Sequence, residues 1–152
     1  MGRQDAASGA SAAIGSALYG LATRAVRRLP RDMSLTSAAT LATLDRTGPR
    51  RITELATIEG VTQPAMSVLV RVMEESGLVE RRGDTSDKRV TLVCLTEAGA
   101  SYVRARRQAG VHAYAGLIDK LTDDEIETLV AALPALLHLA ALDSQDREGP
   151  KL

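Results

Sequence analysis

A chain of 152 residues suffices for one compact unit, or for a small head whose helices complete their core by dimerising, and excludes two large independent domains. It is 45% hydrophobic but only 2% aromatic, with no Phe or Trp, so the core must be built from Leu, Val, Ile, Ala and Met, a composition that leans helical. The formal charge is zero, from 19 Lys+Arg and 19 Asp+Glu, so bulk charge argues for neither nucleic acid nor membrane, and the lone Cys94 excludes an intrachain disulfide and a cysteine-based zinc finger.

Residues 1–11 are small and polar and are expected to form a disordered arm. Over 12–29, Ile14, Leu18, Leu21, Ala22, Ala25 and Leu29 recur at helical spacing until Pro30 ends the pattern. A second helix is expected over 35–46, with Leu41 and Leu44 inward, closed by Gly48-Pro49 and followed by a short extended piece at Arg50-Arg51. Ile52, Leu55, Ala56 and Ile58 give a two-turn helix over 52–59 its apolar side, and Gly60 lets the chain turn.

Thr62 caps the next helix and Pro64 occupies its first turn, where a missing N–H costs nothing. Over 63–76 the stripe Met66, Leu69, Val70, Met73 faces inward, leaving Gln63, Ser67, Val68, Arg71 and Val72 on the other face. After Gly77, β-rich runs at 78–82 and 90–95 flank a polar stretch at 83–89, which reads as a hairpin with a long charged tip. Thr96 caps a long helix to about 119, and Thr122 with Glu125 opens a last helix to about 142. That helix is apolar on more than one face, through Ile126, Leu129, Val130, Leu133, Leu136 and Leu137, which favours burial in a dimer interface; Pro134 predicts a kink or break. Residues 143–152 read as a frayed tail, and no apolar run approaches the ~20 residues of a membrane span.

The order helix, tight turn, helix, basic-tipped hairpin has a physical job on DNA. The second helix enters the major groove while the first braces it against the backbone. Thr62, Gln63 and Ser67 offer hydrogen bonds to base edges, and Arg71 reaches a phosphate or a guanine. Val68 and Val72 are explained if at least Val68 touches a thymine methyl; the alternative is that they pack under the hairpin. Arg81, Arg82, Lys88 and Arg89 supply cations to phosphates, with Arg89 the candidate for the minor groove, and Asp84 and Asp87 would hold those arginines by ion pairs.

Five segments fall in this order: Ile52-Thr53-Glu54-Leu55-Ala56; Gly60-Val61-Thr62-Gln63-Pro64-Ala65-Met66-Ser67; Glu75-Ser76-Gly77-Leu78-Val79-Glu80-Arg81; Asp84-Thr85-Ser86-Asp87-Lys88-Arg89; and Leu95-Thr96-Glu97-Ala98-Gly99. Together they resemble the MarR family of bacterial regulators. The resemblance implies a mainly α fold with a small β-hairpin wing: a winged helix-turn-helix head at 35–96 and a helical dimerisation region at 12–34 and 97–142. It implies a homodimer that reads an inverted-repeat operator, a repressor released by a small-molecule effector or an oxidant; the single cysteine makes a reducing, cytoplasmic location the default. By position it makes Thr62, Gln63, Pro64, Ala65, Ser67 and Val68 recognition-helix contacts, and Asp87 with Arg89 the wing pair. Val68 and Ser86 depart from it, standing where the family often has arginine.

Other readings are weaker. Tyr19 and Arg24 would line or charge an effector pocket between the dimer region and the head, against plain packing and solvation. Cys94 reads as a small buried hydrophobe. His112 and His138 lack neighbouring acidic ligands, so no metal or other cofactor is expected. No glycine-rich phosphate loop or nucleophile motif argues for an enzyme. A winged-helix module for protein contacts, without DNA binding, is the alternative, because the head carries no net positive excess.

Overall fold

The computed structural model describes residues 2–28, 32–83 and 90–148. In chain order they form α1 (Gly2–Arg28), α2 (Leu35–Thr47), α3 (Ile52–Ile58), α4 (Gln63–Glu75), β1 (Val79–Gly83), β2 (Thr91–Leu95), α5 (Glu97–Ile118) and α6 (Asp123–Glu148). This is the mainly helical, winged arrangement expected.

The head is organised by one apolar cluster. Leu41 and Leu44 of α2, Leu55 and Ala56 of α3, Met66, Val70 and Met73 of α4, Val79 of β1 and Val93 of β2 are all buried together. The inward stripe of α4 is therefore the one its periodicity predicts, with Leu69 half-buried beside it. Polar groups inside are satisfied locally: Thr40 donates to the Thr36 carbonyl at 2.8 Å, and Thr43 donates to Glu59 Oε1 at 2.8 Å.

The turns follow from local chemistry. Gly60 adopts φ +64 after α3, a left-handed conformation that a side chain would strain, and the Val61 N–H then closes back on the Ala56 carbonyl at 3.0 Å. Thr62 caps α4 by accepting from the Ala65 N–H. β1 and β2 pair antiparallel, with Val79 opposite Leu95 and Gly83 opposite Thr91. The extended piece expected at Arg50 adds a single bridge to this sheet: the Arg50 N–H donates to the Val93 carbonyl at 3.2 Å and receives the reciprocal bond at 2.8 Å.

Thr96 welds the hairpin to α5. Its hydroxyl donates toward the Gly77 and Leu78 carbonyls at 2.7 and 3.0 Å while accepting from the Gly99 N–H at 3.0 Å. Tyr114 of α5 donates to the Leu21 carbonyl of α1 at 2.9 Å. At the start of α6 the Thr122 N–H and hydroxyl both donate to Glu125, which holds that carboxyl below its ordinary pKa and forms the predicted capping box.

Several expectations need correction. Helix α1 begins at Gly2, not near residue 12 after a disordered arm, because the alanine-rich run through Ala10, Ala12 and Ala13 has high helix propensity even without large apolar side chains. Helix α6 continues to Glu148, past the frayed tail expected from 143, and runs through Pro134 without interruption. The stretch Asp123–Ser144 is also long and apolar enough, by length and composition, to cross a membrane, contrary to the expectation that no such run exists. Between Ile126 and Leu142 the polar residues Glu127, Thr128 and His138 are too sparse to break it. The Pro30 stop falls outside the described residues.

Candidate nucleic-acid interface

The outer face of α4 is built from its cap outward. Thr62, Gln63, Pro64 and Ala65 are exposed around the helix N-terminus, Ser67 is half-buried, and Arg71 is exposed without a hydrogen bond or ion pair among the described residues. Between Gly60 and Met73 there is no carboxylate, so the helix N-terminus and Arg71 give this surface a positive character. Val68 is 51% exposed and Val72 49%, one turn apart. Neither is buried by the described strands of the hairpin, β1 and β2, so packing there does not account for two apolar residues on a polar face.

The base of the wing carries its cations differently from expectation. Arg81 Nε lies 3.4 Å from Glu74 Oε2, linking β1 to the end of α4, and Arg82 pairs with Glu80 two residues back on the same strand face. Glu74 and Glu80 are thus the carboxylates that orient these arginines, partners not anticipated from the sequence. The Glu80-x-Arg82 spacing was a readable signal, since alternate strand residues share a face. Asp84, Asp87, Lys88 and Arg89 lie outside the described residues.

Behind the head is a cavity of about 770 Å³. Its apolar wall comes from Leu35, Ala39 and Ala42 of α2 and Val103 of α5, and its polar side includes Tyr102 and Arg106 of α5. The end of α6 closes one edge through Asp143 and Ser144. Tyr102 donates to both oxygens of Asp32, at 3.0 and 2.9 Å, and Arg106 Nη1 reaches Asp32 Oδ1 at 3.2 Å and the Tyr102 hydroxyl at 3.0 Å. The Tyr102 hydrogen bond, reinforced by the Arg106 charge, holds the Asp32 carboxyl below its ordinary pKa. Burial, then the Asp32 contact, pushes the Tyr102 hydroxyl up. Tyr19 and Arg24, the residues expected to line or charge an effector pocket, lie on α1. Tyr19 is 73% exposed and Arg24 is exposed, and neither lines this cavity.

Cys94 is buried, with burial raising its thiol pKa, the environment of an inert thiol. His112 and His138 are exposed, and no cluster of metal-binding side chains occurs among the described residues.

Comparison with known proteins places these features in a common setting. The MarR family model matches residues 33–91. An uncharacterized HTH-type transcriptional regulator of Mycobacterium bovis, Mb0904, is 31% identical over 124 residues, covering 76% of this chain and 87% of that protein. The transcriptional regulator Tm0710 of Thermotoga maritima superposes with a TM-score of 0.74 at 16% identity, over 86% of this chain and 95% of the other. A mutant of MepR from S. aureus, solved bound to an oligodeoxyribonucleotide, gives a TM-score of 0.63 at 23% identity, over 86% and 96% of the two chains. MepR bound to ethidium bromide gives 0.58 at 23% identity, over 86% and 95%.

Proposed function

This chain belongs to the MarR family of DNA-binding transcriptional regulators, and from that premise we propose that it acts as a homodimeric repressor whose DNA is released by a small-molecule effector. In this reading α4 lies in the major groove, with Thr62, Gln63, Pro64, Ala65, Ser67 and Val68 at base edges and Arg71 on a phosphate or guanine. The wing reaches the flanking minor groove through Arg81 and Arg82, held by Glu74 and Glu80, and through Lys88 and Arg89, with Asp84 and Asp87 beside them in sequence. The observation that carries the reading is the outer face of α4, free of acids over its first three turns and bearing an unpaired, exposed Arg71.

Two further features support the dimer and the effector. Helices α1 and α6 have no buried side chain among those described, yet α6 exposes Val130, Leu133, Leu137 and Leu139, an apolar surface that a second copy would cover. In this reading residues 12–34 and 97–142 form the dimerisation region and 35–96 the reading head. The cavity is walled by the head on one side and by α5 and the end of α6 on the other, so an occupant would bear on how the two are set. The wall combines apolar side chains with Tyr102, three arginines (Arg46, Arg106, Arg107) and three carboxylates (Asp45, Glu59, Asp143), which fits a small amphipathic molecule, and MepR offers a neighbour of the same fold that takes ethidium bromide.

Fluorescence anisotropy tests the reading directly, with the purified protein on duplex DNA from upstream of its own gene and on scrambled DNA, at low and near-physiological salt. Binding that prefers the upstream DNA and weakens steeply with salt is expected. Arg89→Ala should weaken binding to many sequences alike, and Ser67→Ala should mainly change base preference. Equal losses from both would sink the base-reading assignment, and salt-insensitive behaviour would favour a protein-contact module instead.

A further inference from the structure

Val68 and Val72 stand half in solvent, one helical turn apart, on the outer side of α4, which also carries Gln63, Ser67 and Arg71 and, at its C-terminal end, Glu75. A pair of exposed β-branched apolar residues contributes nothing to the helix: both lower its propensity relative to alanine and neither fills the core. Their neighbours are satisfied elsewhere. Met66, Val70 and Met73 already complete the inner stripe, and β1 packs against the far side of α4. What the face lacks is an apolar partner.

We infer that Val68 and Val72 form a two-point reader of C5-methyl groups in the major groove. The inference rests on α4 lying in that groove, as proposed above. Residues four apart are neighbours on one helix face, about 6 Å apart along its axis. Two side chains so spaced reach the edges of different base pairs on the groove floor. There, thymine is the base that presents an apolar group, its C5 methyl, beside otherwise polar edges. Gln63 at the helix start and Arg71 between the valines supply hydrogen bonds to neighbouring edges, and the first carboxylates of the helix, Glu74 and Glu75, come only in its last turn. The chemistry is specific to the methyl and not to the base: 5-methylcytosine carries the same group at the same position. The chain thus responds to cytosine methylation wherever a C·G pair falls under either valine.

The test uses the full-length protein and a duplex it selects from a random pool. Each thymine of the selected site is replaced in turn by uracil, which deletes the methyl and nothing else. Loss of about fourfold in affinity is expected at each contacted thymine, the equivalent of one buried methyl at ~0.8 kcal/mol. In the Val68→Ala/Val72→Ala double variant those same replacements should become neutral. Both valines are exposed, so the variant keeps the fold, checked by an unchanged thermal midpoint. Replacing a contacted T·A by C·G should weaken binding, and methylating that cytosine should recover about fourfold. Uracil replacements that are neutral in the unaltered protein would overturn the inference while leaving DNA reading by α4 intact, as would losses that persist in the double variant. Failure to select any duplex would instead overturn the DNA reading on which it rests.

Discussion

At the scale of a residue, the tightest constraint lies at Gly99. A Cβ placed there would stand 2.1 Å from the Leu78 carbonyl oxygen and 2.8 Å from Leu95 Cδ1. The carbonyl cannot yield, because it also accepts from the Thr96 N–H at 3.1 Å. Gly99→Ala is therefore expected to push α5 off the hairpin base, at about 1–3 kcal/mol for overpacking. That corresponds to a thermal midpoint lower by roughly 3–10 °C for a chain of this size. Gly116→Ala, in the same helix with open space around it, should leave the midpoint unchanged or raise it, since alanine is the better helix former. Equal behaviour of the two variants in a calorimetric scan would contradict the packing argument. The sequence showed Gly99 inside a recognisable motif, but the carbonyl it makes room for lies 21 residues earlier and is invisible to any local pattern.

Between elements, the junction that matters is Asp32 with Tyr102 and Arg106, which ties the segment ahead of α2 to α5. Because the Asp32 pKa is depressed in the folded chain, the contribution of its ionised form is present above the ordinary carboxylate pKa and fades as pH falls through the folded value. Asp32→Asn is thus expected to lower the denaturant midpoint at pH 7, with the gap to the unaltered protein narrowing below about pH 4. A gap that stays constant over that range would mean that the carboxylate's charge has no part in it. Elements whose evidence is local were legible: the Met66, Val70, Met73 spacing defines α4 to within a residue, and Thr62, Thr96 and Thr122 mark three helix starts because capping is decided within one turn. The Asp32 junction and the cavity were not, since Tyr102 lies 70 residues from its partner and the cavity draws on four helices. The early start of α1 was missed for a different reason: small residues satisfy helix propensity and low-complexity criteria alike, and propensity won. On the outer face of α4 the residue identities were readable in advance, whereas the exposure of Val68 and Val72 needed the position of the hairpin.

For the whole molecule, the question is what covers α6. Leu137 is 68% exposed and Leu133 48%, on a helix with no buried side chain among its described residues. As a dimer the protein should sediment at twice the 16.1 kDa of one chain. Leu133→Glu/Leu137→Glu, which places two charges on that surface, should yield the single-chain mass or an unfolded species, and in either case lose tight operator binding, because one head alone contacts half of an inverted repeat. A single-chain mass for the unaltered protein at micromolar concentration would refute the dimer.

The placement of the two uncovered helices at opposite ends of the sequence also sets an order in time. Helix α1 leaves the ribosome before α6, with the whole head between Arg28 and Asp123 made in the interval. At ~5–20 residues per second that interval is on the order of 5–20 s. During it the head, whose apolar cluster is complete within residues 41–93, is free to fold on the nascent chain while α1 waits without its mate. In the proposed dimer, pairing of two subunits is then a late event, and the concentration of folded chains sets how quickly a newly made regulator becomes able to grip its operator.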